Sequence, residues 1–289
     1  MTMAIKTILV PIDGTETSRS ALDVAFMLGR DLTAHVDVLH VATDPKDAVP
    51  LLGEGMSAAI IEEMIQLAEN EASERTARTE AMFDDARGRF DLAIQESPPL
   101  GNACSTALIQ SVGREDDLTA IKGRLADLVV VSRPTERTDT ALAMTINAAI
   151  FETGRPVLVA PPQIPDAIGK KIAVSWNGSA EASRAVAAAM PLIVRSEGVV
   201  IMTAESDGTS SEVASKLATY FAWHGVNAES RILPGGSQVG EVLLEDCVVS
   251  GVDLLVMGAY THSRMRQMIL GGVTKHVLGC AELPVLMSH

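Results

Sequence analysis

Short apolar runs recur along this chain, most of them ended by glycine or proline and followed by a stretch with helical spacing. The first, residues 5–11 (IKTILVP), predicts a strand buried on both faces. Ile12, Asp13, Gly14 and Thr15 then make the turn into a helix capped by Thr15 or Thr17, with Ala21, Leu22, Ala25, Phe26 and Leu28 on one stripe as far as about Arg30. A second strand is predicted at 35–41, a loop at 44–55, and a long polar helix at 57–87. The apolar stripe of that helix, with Ile60, Ile61, Met64, Leu67 and Ala68, occupies its first half, so the distal half is expected to face solvent or a partner. Beyond it the pattern predicts a short third strand at 91–95, a helix at 105–114, a strand at 128–131, a helix at 139–152 and a strand at 157–160. Such alternation implies a parallel sheet with helices on both faces.

The pattern then restarts. Residues 161–169 (PPQIPDAIG) read as a linker, after which 171–179 follow the plan of 7–15, with Asn177, Gly178 and Ser179 on Asp13, Gly14 and Thr15. Further on, 253–256 follow 127–130 and 284–286 follow 156–158. The interval from Asp13 to Asp127 is 114 residues and that from Asn177 to Asp253 is 76, so the first copy is 38 residues longer there, mainly through its long helix. Two domains, 1–162 and 170–289, are the expected organisation.

A net charge of −14 disfavours nucleic acid and anionic membrane as partners, since both would be repelled. No segment approaches the about 18 apolar residues of a membrane span, and the first residues enter a strand at once, so a cytoplasmic location is expected. Cys104, Cys247 and Cys280 are widely spaced and give no disulfide or zinc pattern, and buried, reduced thiols are expected.

The stretch 253–274 (DLLVMGAYTHSRMRQMILGGVT) holds the most specific signal. A buried strand ends abruptly at Gly258, and Gly271 and Gly272 precede a helical pattern through Val273, Thr274, Lys275, His276 and Leu278. Glycines on both sides of one loop let main-chain N–H groups approach an anion, and the helix start adds its positive end. Turn glycines with an ordinary helix cap are the alternative reading of the same residues.

This run resembles the signature of the universal stress protein family, in which a strand ends in glycine, two residues follow, then glycine, nine residues, glycine, and serine or threonine. Gly258 and Gly271 match at the family spacing, while Thr261 stands at the second glycine and Gly272 at the hydroxyl residue. The resemblance covers nearly the whole chain in tandem form. It implies two doubly wound α/β domains, adenine nucleotide α-hydrolase-like, each with strand order 3-2-1-4-5. The last strands of the two copies, 157–159 and 285–287, are then expected to pair with each other, and a homodimer beyond that is left open.

As a ligand the resemblance implies an adenine nucleotide, ATP with Mg2+, in the second copy. Its phosphate side would be Met257, Gly258, Thr261, His262, Ser263, Gly271, Gly272, Val273 and Thr274, and its base side Ser175, Asn177 and Thr203. The first copy keeps Pro11, Asp13 and Val41 on the base side but reads SRPTERTDTALAMT after Val131, without a loop glycine. No P-loop, dinucleotide, nucleophile-elbow or zinc-protease motif is present, so no enzymatic activity is expected. A scaffold of the same fold that binds a protein partner and no nucleotide is the alternative function.

Overall fold

A computed structural model describes residues 4–44, 57–98, 104–134, 140–205, 210–259 and 272–289. The first half runs β1 (Thr7–Pro11), α1 (Glu16–Leu32), β2 (His35–Ala42), α2 (Ala58–Phe90), β3 (Ala93–Ile94), β4 (Ser105–Val112), α3 (Glu115–Gly123), β5 (Leu128–Ser132), α4 (Thr140–Glu152) and β6 (Val157–Ala160). The second runs β7 (Lys171–Ser175), α5 (Ala180–Ile193), β8 (Gly198–Ala204), α6 (Ser210–Trp223), β9 (Ala228–Leu233), α7 (Val239–Val249), β10 (Leu254–Gly258), α8 (Gly272–Cys280) and β11 (Val285–Ser288). The strands form one sheet in the order β3-β4-β2-β1-β5-β6-β11-β10-β7-β8-β9. Every neighbouring pair is parallel except β6 with β11, where Val159, Leu158 and Val157 face Val285, Leu286 and Met287 antiparallel. Setting aside the short β3, each half has the order 3-2-1-4-5, and the expected pairing of the last strands is present.

Alternation along the strands divides the core into two layers. Ile8, Val10, Val36, Val38, Ile172, Val174, Leu254 and Val256 pack with α1, α2, α5 and α6. Leu9, Leu39, Ala173, Val200, Leu255 and Met257 pack on the other face with α4, α7 and α8. A strand inside a parallel sheet covered on both faces must be apolar at every position, and this is why the central runs lack polar residues. The repeated aspartates Asp127 and Asp253 tie down the starts of the first strands. Asp127 Oδ2 accepts from the amides of Lys6 (2.8 Å) and Thr7 (3.0 Å), and Asp253 accepts from Gly169 (2.8 Å), Lys170 (3.0 Å) and Lys171 (3.2 Å).

Three expectations are corrected. Residues 105–112 form β4, an eight-residue parallel partner of β2, where a helix was predicted, and α3 follows it at Glu115–Gly123. The predicted third strand shrinks to β3, two exposed residues on the outer edge of β4. The burial of α2 is reversed: Thr79, Met82, Phe83 and Ala86 are buried in its distal half, while Ile60 and Leu67 in the first half are 46% and 68% exposed. Its distal stripe includes a threonine and an alanine, which carry little hydrophobic signal, so only Met82 and Phe83 mark it as apolar, while the exposed first half holds more of the strongly apolar residues.

The thiols are also mixed. All three are free, but only Cys247 is buried, Cys104 is half-buried and Cys280 is exposed. Burial, helped by neighbouring Asp246, pushes the Cys247 thiol up to about 12. His276 lies on α8 as expected, while His224 stands just past the end of α6. Among the described residues no helix is long and apolar enough to cross a membrane.

Candidate functional site

In the second half the sheet order changes direction between β7 and β10, and the carboxyl ends of strands diverge at such a point. A cavity of about 620 Å³ opens there, across the ends of β7, β8 and β10. Ser175, Asn177, Thr203, Met257, Gly258, Gly272, Val273 and Thr274 all line it, so residues far apart in sequence are brought to one place. Thr261, His262, Ser263 and Gly271 lie outside the described residues.

Each wall has a local cause. After β7, the Trp176 amide donates to Met202 O (2.9 Å) and its indole Nε1 to Val213 O (3.2 Å), which fastens α6 to the strand end. Asn177 Oδ1 accepts from the Ser179 amide (3.1 Å), Gly178 takes φ +73°, and Ser179 Oγ accepts from Ala182 N (3.2 Å) to cap α5. Trp176 is thus a half-buried packing residue and Asn177 a turn former. Asp13 does the same work in the first half, accepting from Thr15 N (3.0 Å) and Thr15 Oγ1 (2.6 Å).

Gly258 has a packing reason of its own: a Cβ there would stand 2.5 Å from Ala182 N and 2.9 Å from Glu181 Cβ. The start of α5 therefore sits directly on this strand end. Gly272 is different, since a Cβ there would meet nothing within 4 Å among the described residues. It opens α8, whose first turn carries no acidic residue.

The two helix starts at the cavity differ in charge. Glu181 in the first turn of α5 already places a carboxylate there, held below its usual range by its own backbone amide and by Arg184, whose Nη2 is 2.8 Å away. The amino end of α8 is therefore the better place for an incoming anion. Glu205 is the one charged side chain lining the cavity among the described residues. Thr203 is 4% exposed, and its Oγ1 has no hydrogen-bond partner among them. No cluster of metal-ligating side chains is present among the described residues.

Sequence reasoning missed part of the lining. Leu233 at the end of β9, Gly235 and Gly236 after it, and Val239 and Leu243 of α7 close the far side. The glycine pair was the available signal, because a Cβ on Gly235 would collide with Glu205 O and Gly236 has φ +110°.

The corresponding place in the first half is filled by the protein itself. β1 and β2 keep the register of β7 and β8, so His40 stands where Thr203 does. Its Nδ1 lies 3.2 Å from Ile12 O and its Nε2 3.1 Å from Thr76 Oγ1 on α2. The Gly14 turn is overlaid by the same helix, since a Cβ there would lie 2.8 Å from Thr79 Oγ1 and 3.2 Å from Arg75 O. The loop after β5 has also taken another use, with Arg133 donating to Gly279 O of α8 and lying 3.5 Å from Glu282.

Comparison with known proteins agrees with this architecture. The model of the universal stress protein family matches residues 4–160, more than half of the chain. Universal stress protein Slr1230 of Synechocystis sp. is 24% identical over 303 aligned residues, which cover 98% of this chain and 99% of that protein. Among solved structures, a universal stress protein from Archaeoglobus fulgidus superposes with a TM-score of 0.67 at 15% identity over 97% of both chains. A putative universal stress protein from Pseudomonas aeruginosa gives 0.56 at 16% identity, covering 98% of this chain and 92% of its own. These likenesses establish an adenine nucleotide α-hydrolase-like fold. The chain belongs to the universal stress protein family.

Proposed function

We propose that this protein binds an adenine nucleotide, ATP with Mg2+ or a close relative, in the second-half cavity, and that it acts as a binding protein without catalysing a reaction. Its two halves, 1–162 and 170–289, serve as domains of which the first is structural. The convergence of eight sequence-predicted residues on one cavity at the sheet's switch point carries this reading. The apolar wall of Met202, Val213, Leu243 and Met257 suits a purine, and the α8 start at Gly272, which no described residue crowds, suits a phosphate, whose negative charge a helix amino end favours.

The test is a calorimetric titration of ATP with and without Mg2+, together with analysis of small molecules released by heat from the purified protein. Gly272→Asp is the informative variant. It adds a carboxylate at the first residue of α8 without a clash among the described residues, so the apo melting temperature should hold or rise slightly while ATP binding is lost. Absence of heat with wild-type protein up to millimolar ATP, and no released nucleotide, would end the proposal.

A scaffold that binds no nucleotide is the second reading, and two observations favour it. The tight contact with α5 accounts for Gly258 without a ligand, and the described lining offers a carboxylate and no cation.

A further inference from the structure

β9 is the outer strand of the sheet, and among the described residues nothing pairs with its free edge. The other edge is blunted by the two-residue β3, but β9 is six residues long. Its backbone orientation follows from one bond: Glu205 N donates to Leu233 O (2.8 Å), so the polar atoms of Leu233 point inward to β8. By alternation those of Arg231 and Glu229 also point inward, while Ala228, Ser230 and Ile232 direct their N–H and C=O groups outward.

The side chains alternate as well. Ala228 packs on the core layer beneath α6, and Leu233 belongs to the opposite layer, where Arg231 Nη1 meets Asp246 of α7 at 3.1 Å. Glu229 therefore shares a face with Arg231, and Ser230 and Ile232 lie on the α6 face. On that face Ile232 is 45% exposed, and Trp223, at the end of α6, is 85% exposed. The chain passes from Trp223 to Ala228 through a tight turn in which Val226 N donates to Phe221 O (3.0 Å), so the end of α6 stands near the start of β9.

We propose that a second copy of this chain docks here, its β9 antiparallel to the first and centred on Ser230, extending the sheet across a two-fold axis. Self-pairing by outward-directed groups requires the axis to fall on a residue, because an axis between residues would set outward groups against inward ones. An axis on Glu229 puts the two copies of Glu229 opposite each other, and one on Arg231 does the same with arginine; both are repulsive. An axis on Ser230 sets Glu229 opposite Arg231 of the second copy, twice, and Ala228 opposite Ile232. The same charges that defend an edge against other registers select this one. This surface is distinct from the β6–β11 junction, which is internal to the chain.

The test is sedimentation velocity over a wide range of chain concentration, with three variants. Ser230→Pro removes an outward N–H and no bond to β8, so it should yield a monomer with an unchanged melting temperature. Glu229→Arg and Arg231→Glu each convert both charge pairs to repulsion and should weaken self-association roughly tenfold. An equimolar mixture of those two should recover it, because the pairs are then opposite in sign again. A wild-type chain that stays monomeric to near-millimolar concentration overturns the proposal. So does a dimer that survives Ser230→Pro in a folded protein, or a mixture that associates no better than its components. Should Ser230→Pro fail to fold, the mixing experiment decides.

Discussion

The ends of β1 and β2 in the first half and of β7 and β8 in the second are built on one plan, yet one is sealed and the other is open. In both, a strand ends in an Asp or Asn turn, a positive-φ glycine follows and a helix starts. The difference lies in the next helix. The 33-residue α2 passes over Gly14 and bonds His40 through Thr76, whereas the 14-residue α6 leaves Thr203 beside an open cavity. A ligand site in this fold is thus decided by what crosses the strand ends as much as by the loop that would hold the ligand.

The strap that seals the first half should be its most sensitive point. Asp23 of α1 has a fully buried side chain and is held by Arg89 of α2 in a bidentate pair, at 2.7 and 3.1 Å. The same hydrogen bond keeps Arg89 more firmly protonated than usual. Arg89→Ala strands a buried carboxylate, a change that costs about 3–5 kcal/mol. The lower end is expected, because Arg89 is 41% exposed and water can enter behind it. Urea denaturation measures the loss, and Asp23→Leu combined with Arg89→Leu should recover most of it. Ligand affinity in the second half should stay unchanged in folded Arg89→Ala, and a shift there would show that the halves are coupled.

Alanine at the paired turn glycines sharpens the contrast. Gly14 and Gly178 have φ of +76° and +73°, so alanine is strained at both to a similar degree. A Cβ on Gly14 also meets α2 at 2.8 Å, whereas on Gly178 it finds Val213 Cγ1 at an ordinary 3.5 Å. Gly14→Ala should therefore be the more destabilising by about 1–3 kcal/mol, the usual cost of overpacking. Equal losses in thermal unfolding would mean that α2 does not press on the turn.

Much of this was legible in the sequence, and the failures have a common cause. The central strands and the repeat could be read because their signals are local: unbroken apolar runs and turn glycines. The β6–β11 pairing has no local signal and was expected only from the family resemblance. Residues 105–112 were misread because Ala107, Leu108 and Gln110 suit a helix, and only pairing with β2 over eight residues makes them a strand. α2 was misread because burial depends on where the sheet ends, which periodicity does not encode. The site was legible as a set of strand ends and glycines. That Gly258 serves α5 and that His40 fills its own pocket emerged only from packing.

The smallest expected effect bears on the two equivalent positions directly. His40 is 1% exposed and its ring is bonded on both sides, so His40→Leu leaves Ile12 O and Thr76 Oγ1 without their partner. A buried group deprived in this way costs about 1–3 kcal/mol. Thr203 presents the reverse case: its hydroxyl has nothing to lose among the described residues, and valine has nearly the same shape. Thr203→Val should then change apo stability by no more than about 0.5 kcal/mol, in either direction. A loss comparable to that of His40→Leu in matched urea titrations would mean that Thr203 is as fully engaged as its counterpart. The second half would then be sealed in the same manner as the first, with a side-chain hydrogen bond closing what the shorter helix leaves uncovered.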